Sequence, residues 1–390
     1  MKNLEKKQGS REIKVYILAS PHPQFDEILD FPPEGVQYIV KRVKTAYHGW
    51  FTENKIRLHN FLLSFLPIPR MARIKTDADI IHSTRGIIQL APEKPWIVDL
   101  ESGSIFTSFN YKAMRNPLVK RIIISALTSD KCKKILPQSE AARKDLEFAL
   151  GKDYEKIKEK VEVLYLAMRP CEKKRINRKD KKVIISFIGW GFYPKGGQDL
   201  IRAYEILTKK YKDLELRIKS DVPEGYKALN LPGLKIIQGH LSRDELFDKM
   251  YLSTDIFVLP THSDHYGVVF LEAMSAGLPI IGTRSFTVPE LIEDGKNGFL
   301  IDTKYSWENY FTNRGDLDTD KFVKDVTKEH PEIIKQLVDK ISILIESKKL
   351  REKMGKESKR IIDSGKLSIK ERNKKLRKIY DDILNSAEMQ

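Results

Sequence analysis

Two cysteines in 390 residues are too few for a disulfide scaffold. Cys132 and Cys171 have no metal-like spacing, so both are expected as free thiols. No stretch approaches the roughly 20 apolar residues of a membrane span. Met1 to Lys14 is polar and charged, and the run "VYILA" is too short for a signal-peptide core. Repeats, collagen-like or prion-like tracts and a long disordered tail are also missing. A secreted disulfide protein, an integral membrane protein and a fibrous protein are thereby excluded, and the expected location is cytoplasmic.

What is present is the composition of a soluble globular protein, 41% hydrophobic and 32% charged, long enough for two domains with a core each. The formal net charge of +16 favours a polyanionic surface: nucleic acid, anionic lipid head groups or phosphorylated small molecules. The lysines are scattered among Glu and Asp, however, and solvated helix faces explain the charge equally well.

Short β-branched runs alternate with helical patterns. "IKVYILAS", "DIIHS", "WIVDLES", "KILPQS" and "KVEVLYLAM" read as strands, and Ser139 as the N-cap of "EAARKDLEFAL". "RPCEKKRINRKDKK" has the composition of an exposed linker. The pattern then restarts with "VIISFIGW", "LELRIKS", "LKIIQG", "DIFVLPT", "LPIIGT" and "GFLI". Two successive α/β units with parallel sheets are expected. The stretch after Ile301 reads as a polar insertion, and two helices, striped by Ile333–Ile345 and Leu376–Leu384, close the chain.

In the second unit a strand runs into "GWGFYPKGGQDLIRAYEIL". Gly189, Gly191, Gly196 and Gly197 permit a tight turn and close backbone approach to a ligand. Lys195 stands before a helix beginning near Gln198, where free amides and the helix dipole favour an anion. By itself this is a common strand-to-helix turn.

"SDHYGVVFLEAMSAGLPIIG" supplies the other half, a loop and helix after the strand "DIFVLPT", where open α/β sheets bind ligands. Asp264 and Glu272 are carboxylates suited to accepting sugar or diol hydroxyls. Separately, Asp264 reads as an N-cap, worth about 1 kcal/mol, and Glu272 as a solvated helix residue. Their spacing before "AMSAGLPIIGT" argues for a site.

Acid, seven residues, Glu, then "AMSAGLPII" resembles the retaining GT-B glycosyltransferases of family 4, the glycosyl transferases group 1. "TVPELIEDGKNGFLI", "GWGFYPKGGQDLIRAY" and the C-terminal helices extend the likeness over residues 183–302 and 331–384. The resemblance implies an α/β GT-B fold: two Rossmann-like domains facing a cleft, and a C-terminal helix returning to the first. The expected boundaries are an acceptor-binding domain over 1–170, a linker over 171–182, a nucleotide-sugar domain over 183–365 and the returning helix over 366–390.

The resemblance also implies roles. Lys195 would neutralise the donor diphosphate, Asp264 hold donor-sugar hydroxyls and Glu272 grip the nucleotide ribose. The amides of Gly267, Val268 and Val269 would contact the phosphates, with Gly189, Gly196 and Tyr266 completing the donor site. The implied reaction is metal-independent transfer of a hexosyl-type group with retention, the leaving diphosphate helping to deprotonate the acceptor. The nucleotide sugar is a substrate; no cofactor is expected. No metal is expected either, since no aspartate pair or His/Cys cluster is spaced as ligands.

Four places depart from the family pattern. Asp264 stands for a Glu, Trp190 for an Arg, Phe286-Thr287 for a Gly-Gly, and "SPHPQF" for a glycine-rich loop.

In the first unit, Glu101 stands where many relatives carry a His, and is the candidate to orient an acceptor hydroxyl or the donor sugar. His22 is a second candidate; His82, ending a buried strand, reads as structural. The acceptor is expected to be a glycan, a lipid-linked molecule or a small molecule. "HGWFTENKIRLHNFLLSFLPIPRMARIK" mixes aromatic and basic residues that suit either an anionic membrane surface, making the protein peripheral there, or a core helix. Two alternatives remain: a nucleotide-sugar epimerase, and a basic nucleic-acid-binding protein. The second lacks any aromatic-basic RNA motif or recognition helix, so nucleic acid is not an expected partner.

Overall fold

The computed structural model describes residues 12–18, 23–40, 68–313, 315 and 317–388. They form two units. The first takes the chain up to Gln138, then Arg143–Leu164 and everything from Lys370; the second takes Ser139–Ala142 and Tyr165–Ile369.

In the first unit the strands are β1 (Ile13–Ile17), β2 (Val36–Val40), β3 (Met71–Ala72), β4 (Ile80–Ser83), β5 (Ile88–Gln89), β6 (Trp96–Leu100) and β7 (Cys132–Pro137). β3 and β5 form a separate parallel pair. The rest make a parallel sheet in the order β2-β1-β4-β6-β7. Every residue of β4 and β6 is buried, as a parallel strand covered on both faces requires. The last helix, Ile369–Glu388, belongs to this unit: Leu376, Ile379, Tyr380 and Ile383 pack with Ile13, Val15, Ile80 and Ile97. Arg372 fastens it by donating to Glu27 O at 2.9 Å and Phe31 O at 2.7 Å. Those carbonyls end the Pro23–Asp30 helix, where unpaired acceptors and the dipole favour a cation.

In the second unit β8 (Val183–Ile188), β9 (Leu214–Lys219), β10 (Leu234–Ile236), β11 (Ile256–Leu259), β12 (Ile280–Thr283) and β13 (Gly298–Ile301) form a parallel sheet ordered β10-β9-β8-β11-β12-β13. The strand order reverses between β8 and β11. Outside the carboxyl ends of those two strands lies the crevice where such a sheet takes a ligand.

Three local expectations fail. "KVEVLYLAM" does not form a strand: Glu162 N and Leu164 N donate to Ile135 O and Pro137 O, but the ladder goes no further. β2 goes unnoticed in the sequence, although Pro32-Pro33-Glu34-Gly35 makes a turn directly before it, with Gly35 at φ 70°. Three helices, not two, close the chain. Between Pro331–Glu346 and Ile369–Glu388 lies Lys348–Asp363, started by Ser347, whose hydroxyl accepts from Leu350 N. Its polar composition conceals the buried Met354, Ile361 and Ile362.

Candidate active site

β8 passes into a compact turn. Gly191, at φ 87°, and Phe192 donate their amides to Asp221 Oδ1, at 2.7 and 3.1 Å. Lys195 N, Gly196 N and Gly197 N donate in turn to Gly191 O, Tyr193 O and Phe192 O. The Gly197–Lys210 helix begins here, so its first amide is already spent inside the turn. Gly196 is compelled to be glycine: φ is 75°, and a β-carbon would lie 2.2 Å from Pro260 O. A β-carbon on Gly189 would press on Lys195 Cγ at 3.2 Å, so the lysine stem lies across that residue.

Lys195 Nζ donates to Asp264 Oδ2 at 2.7 Å and to Ser263 O at 2.6 Å. The two side chains are 16% and 15% exposed. The loop after β8 and the loop after β11 are thus joined by a partly buried ion pair. Asp264 does not cap the Val268–Ser275 helix; Gly267 occupies the N-cap position at φ 78° with no side-chain cap bond. The helix's first hydrogen bond is Phe270 N to Gly267 O, so the amides of Gly267, Val268 and Val269 precede it. These amides and an ammonium are the donors an anionic ligand requires.

Glu272 is buried rather than solvated, at 4% exposure. Oε1 accepts from Arg243 Nε at 3.0 Å and Oε2 from Tyr251 OH at 2.9 Å. A carboxylate oxygen is a strong acceptor, the kind of group a diol donates to. Burial and the Glu272 charge hold the Tyr251 phenol well above its usual range. Tyr266 is buried as well, its hydroxyl donating to Leu166 O at 3.2 Å. Trp190 is 83% exposed and brings no cation to the turn.

Phe286 occupies the expected glycine place in a glycine-like conformation, φ 43°. Its amide donates to Glu308 Oε2 at 3.0 Å, and its ring packs on Trp307 and His265, with centroids 5.2 and 6.0 Å away. Thr287 Oγ1 donates to His265 O at 2.7 Å.

Of the first-unit candidates, Glu101 and His82 have partners within that unit. Glu101 is 8% exposed and accepts from Arg85 Nη2 and Nε at 2.7 and 3.2 Å. Arg85 itself has φ 50°, a strained backbone next to Gly86. His82 is fully buried with Nδ1 2.8 Å from Tyr380 OH. His22 and residues 48–67 of the aromatic-basic stretch lie outside the described residues.

The structure therefore gathers Gly189, Lys195, Gly196, Asp264 and Gly267, and holds Glu272 on the same helix through partners the sequence reading missed. Arg243 and Tyr251 are those partners; Asp221, which accepts from the turn amides of Gly191 and Phe192, was missed as well. Only Arg243 has a local signal: the capping box Ser242–Glu245 marks its helix, though not where its side chain goes.

Residues 168–311 match the family model described as Glycosyl transferases group 1. An uncharacterized glycosyltransferase of Haemophilus influenzae is 29% identical over 180 residues, 45% of this chain and 47% of that one. D-inositol 3-phosphate glycosyltransferase of Corynebacterium kroppenstedtii is 28% identical over 131 residues, 30% and 29% of the two chains. The chain spans less than half the length of these curated relatives. Among solved structures, HepE of Anabaena, in complex with UDP and glucose, has a TM-score of 0.59 at 13% identity, covering 95% of this chain and 99% of that one. WaaG, a glycosyltransferase involved in lipopolysaccharide biosynthesis, has a TM-score of 0.55 at 16% identity, covering 91% and 96%. The fold is that of the GT-B glycosyltransferases. The residues that match the group 1 model, 168–311, all fall within the second unit.

Proposed function

We propose that the protein is a retaining glycosyltransferase that moves a hexosyl-type group from a nucleotide-diphosphate sugar to an acceptor hydroxyl. The observation that carries this reading is the Lys195–Asp264 pair beside the amides of Gly267, Val268 and Val269, at the place where the strand order reverses. The donor diphosphate takes over the Lys195 ammonium and those amides. Asp264, released from the lysine, accepts a sugar hydroxyl, and Glu272, oriented by Arg243 and Tyr251, accepts the ribose diol. As the glycosidic bond breaks, negative charge grows on the departing phosphate. Preorganised donors stabilise that charge, and the phosphate oxygen takes the acceptor proton on the same face. The lysine and the amides carry the charge in this reading, so the transfer step uses no metal ion.

A nucleotide-sugar donor is supported by the group 1 match and by the UDP complexes of HepE. Neither the epimerase nor the nucleic-acid alternative gains support from these similarities. The acceptor class stays within glycans, lipid-linked molecules and small molecules. Among the described residues no helix is long and apolar enough to cross a membrane. A cytoplasmic enzyme working at an anionic membrane face is part of the proposal.

The test is a thermal-shift screen against UDP-, GDP- and ADP-sugars. One donor should stabilise the wild type and leave Lys195→Ala and Glu272→Ala unmoved. Nucleotide should then be released from that donor only when acceptor is added. Stabilisation by no nucleotide sugar, or equal stabilisation of both variants, refutes the reading.

A further inference from the structure

Three buried side chains from the segments that build the site meet at one point. Asp199 lies in the first turn of the Gly197–Lys210 helix, His262 stands two residues before Asp264, and His330 is the N-cap of the Pro331–Glu346 helix. Asp199 and His262 are fully buried and His330 is 1% exposed. Asp199 Oδ2 is 2.7 Å from His330 Nδ1 and 3.4 Å from His262 Nε2, and one ligand atom of each residue lies within 4.8 Å of the others.

The hydrogen bonds are incomplete in an instructive way. His330 Nε2 faces Asp325 O at 3.1 Å; a carbonyl only accepts, so that nitrogen carries the proton. In a neutral ring Nδ1 is then a lone pair, aimed at a carboxylate oxygen 2.7 Å away. Two acceptors at that distance repel unless a cation sits between them. A proton would serve His330 and Asp199 but would leave His262 only a long 3.4 Å approach of Nε2 to the same carboxylate oxygen. Neither ring nitrogen of His262 has a hydrogen-bond partner among the described residues, a penalty of about 1–3 kcal/mol for each unsatisfied group. A divalent ion satisfies all three side chains.

We propose that Asp199, His262 and His330 bind a structural divalent metal ion, of which Zn²⁺ fits the two-nitrogen, one-oxygen donor set best. Bonds of about 2.0–2.1 Å in a tetrahedral shell put neighbouring ligand atoms about 3.3 Å apart, against 2.7 and 3.4 Å from Asp199 Oδ2 and at most 4.8 Å among the three. The supporting groups are in place: His330 N donates to Asp199 Oδ1 at 2.9 Å, and Asp325 O fixes the His330 tautomer. The ion joins the turn bearing Lys195, the loop bearing Asp264 and the start of the Pro331–Glu346 helix. The three ligands lie far apart along the chain, which is why no metal-like spacing shows in the sequence.

The test uses the full chain, free of any histidine tag, purified in metal-scrubbed buffer. Elemental analysis by plasma mass spectrometry is expected to find about one zinc per chain. Treatment with 1,10-phenanthroline should lower the Tm, and Zn²⁺ but not Mg²⁺ should restore it. Co²⁺ added to the stripped protein should give visible d–d absorption, lost in His262→Gln. A chain without bound metal, whose Tm answers neither to chelator nor to Zn²⁺, overturns the proposal and leaves a buried histidinium–aspartate pair. All these measurements are made on wild-type protein apart from the His262→Gln control, so failure of a variant to fold does not blunt them. None depends on glycosyl transfer.

Discussion

Lys195 and Asp264 form a 2.7 Å ion pair between two loops, and the same ammonium also donates to the Ser263 carbonyl. On the proposed function, a donor diphosphate would meet a lysine held in place by a carboxylate that must give it up. Lys195→Met should lower kcat/KM for the donor by about 10²- to 10³-fold, the usual loss for one preorganised charge-stabilising donor. It should also destabilise the fold by about 1–3 kcal/mol, since Asp264 is left partly buried and unpaired. Lys195→Met/Asp264→Asn should regain most of that stability and none of the activity. Chemical denaturation with nucleotide-release kinetics on all three variants checks this; a double variant as unstable as the single one contradicts the pairing.

Glycine is required at Gly196 for two separable reasons. Gly295 shares the left-handed backbone at φ 78° but has nothing within 4 Å of a β-carbon, whereas a β-carbon at Gly196 would lie 2.2 Å from Pro260 O. Gly295→Ala should cost about 1 kcal/mol, the conformational cost alone. Gly196→Ala should cost several-fold more and shift Lys195 off Asp264. Equal losses of Tm would mean that the Pro260 contact relaxes freely.

The repeating strand–helix rhythm was legible because parallel strands buried on both faces are mostly apolar: β11 wholly so, β8 but for Ser186, β6 but for Asp99. The acid pair and the lysine turn were legible because glycines and carboxylates at fixed intervals have few structural uses. What escaped was set by distant partners. "KVEVLYLAM" has strand composition but meets β7 with only two amides. Glu272 was singled out as a diol acceptor, but that Arg243 and Tyr251 hold it could not be read. Neither outcome is written within ten residues of the residue concerned.

Phe286 holds a left-handed backbone that glycine adopts freely, and its ring is buried against Trp307 and His265. Phe286→Ala keeps the strain and loses the ring, and should cost about 3 kcal/mol or more. Phe286→Gly loses the same ring but relieves the strain, recovering about 1 kcal/mol. Glycine should thus be the more stable of the two variants, the reverse of the usual order. An alanine variant with the higher Tm would show that the strain is not stored there.

Tyr251 is fully buried and donates to Glu272 Oε2 at 2.9 Å, and both burial and that carboxylate raise its phenol well above the usual value of 10.0. The sign follows from proton binding. The contribution is intact below pH 10 and is lost as pH rises, because the unfolded chain releases a proton that the folded chain retains. Each such phenol steepens the alkaline loss by about 1.4 kcal/mol per pH unit. Tyr251→Phe removes the titrating group, yet at neutral pH it deprives buried Glu272 of a donor and should cost about 1–3 kcal/mol. The stability curves of wild type and variant should therefore lie apart at pH 7 and converge above pH 10. The same loss of orientation at Glu272 should weaken donor binding at pH 7. Urea denaturation from pH 7 to 11 distinguishes the cases, since parallel curves would require the Tyr251 phenol to ionise as an exposed one does.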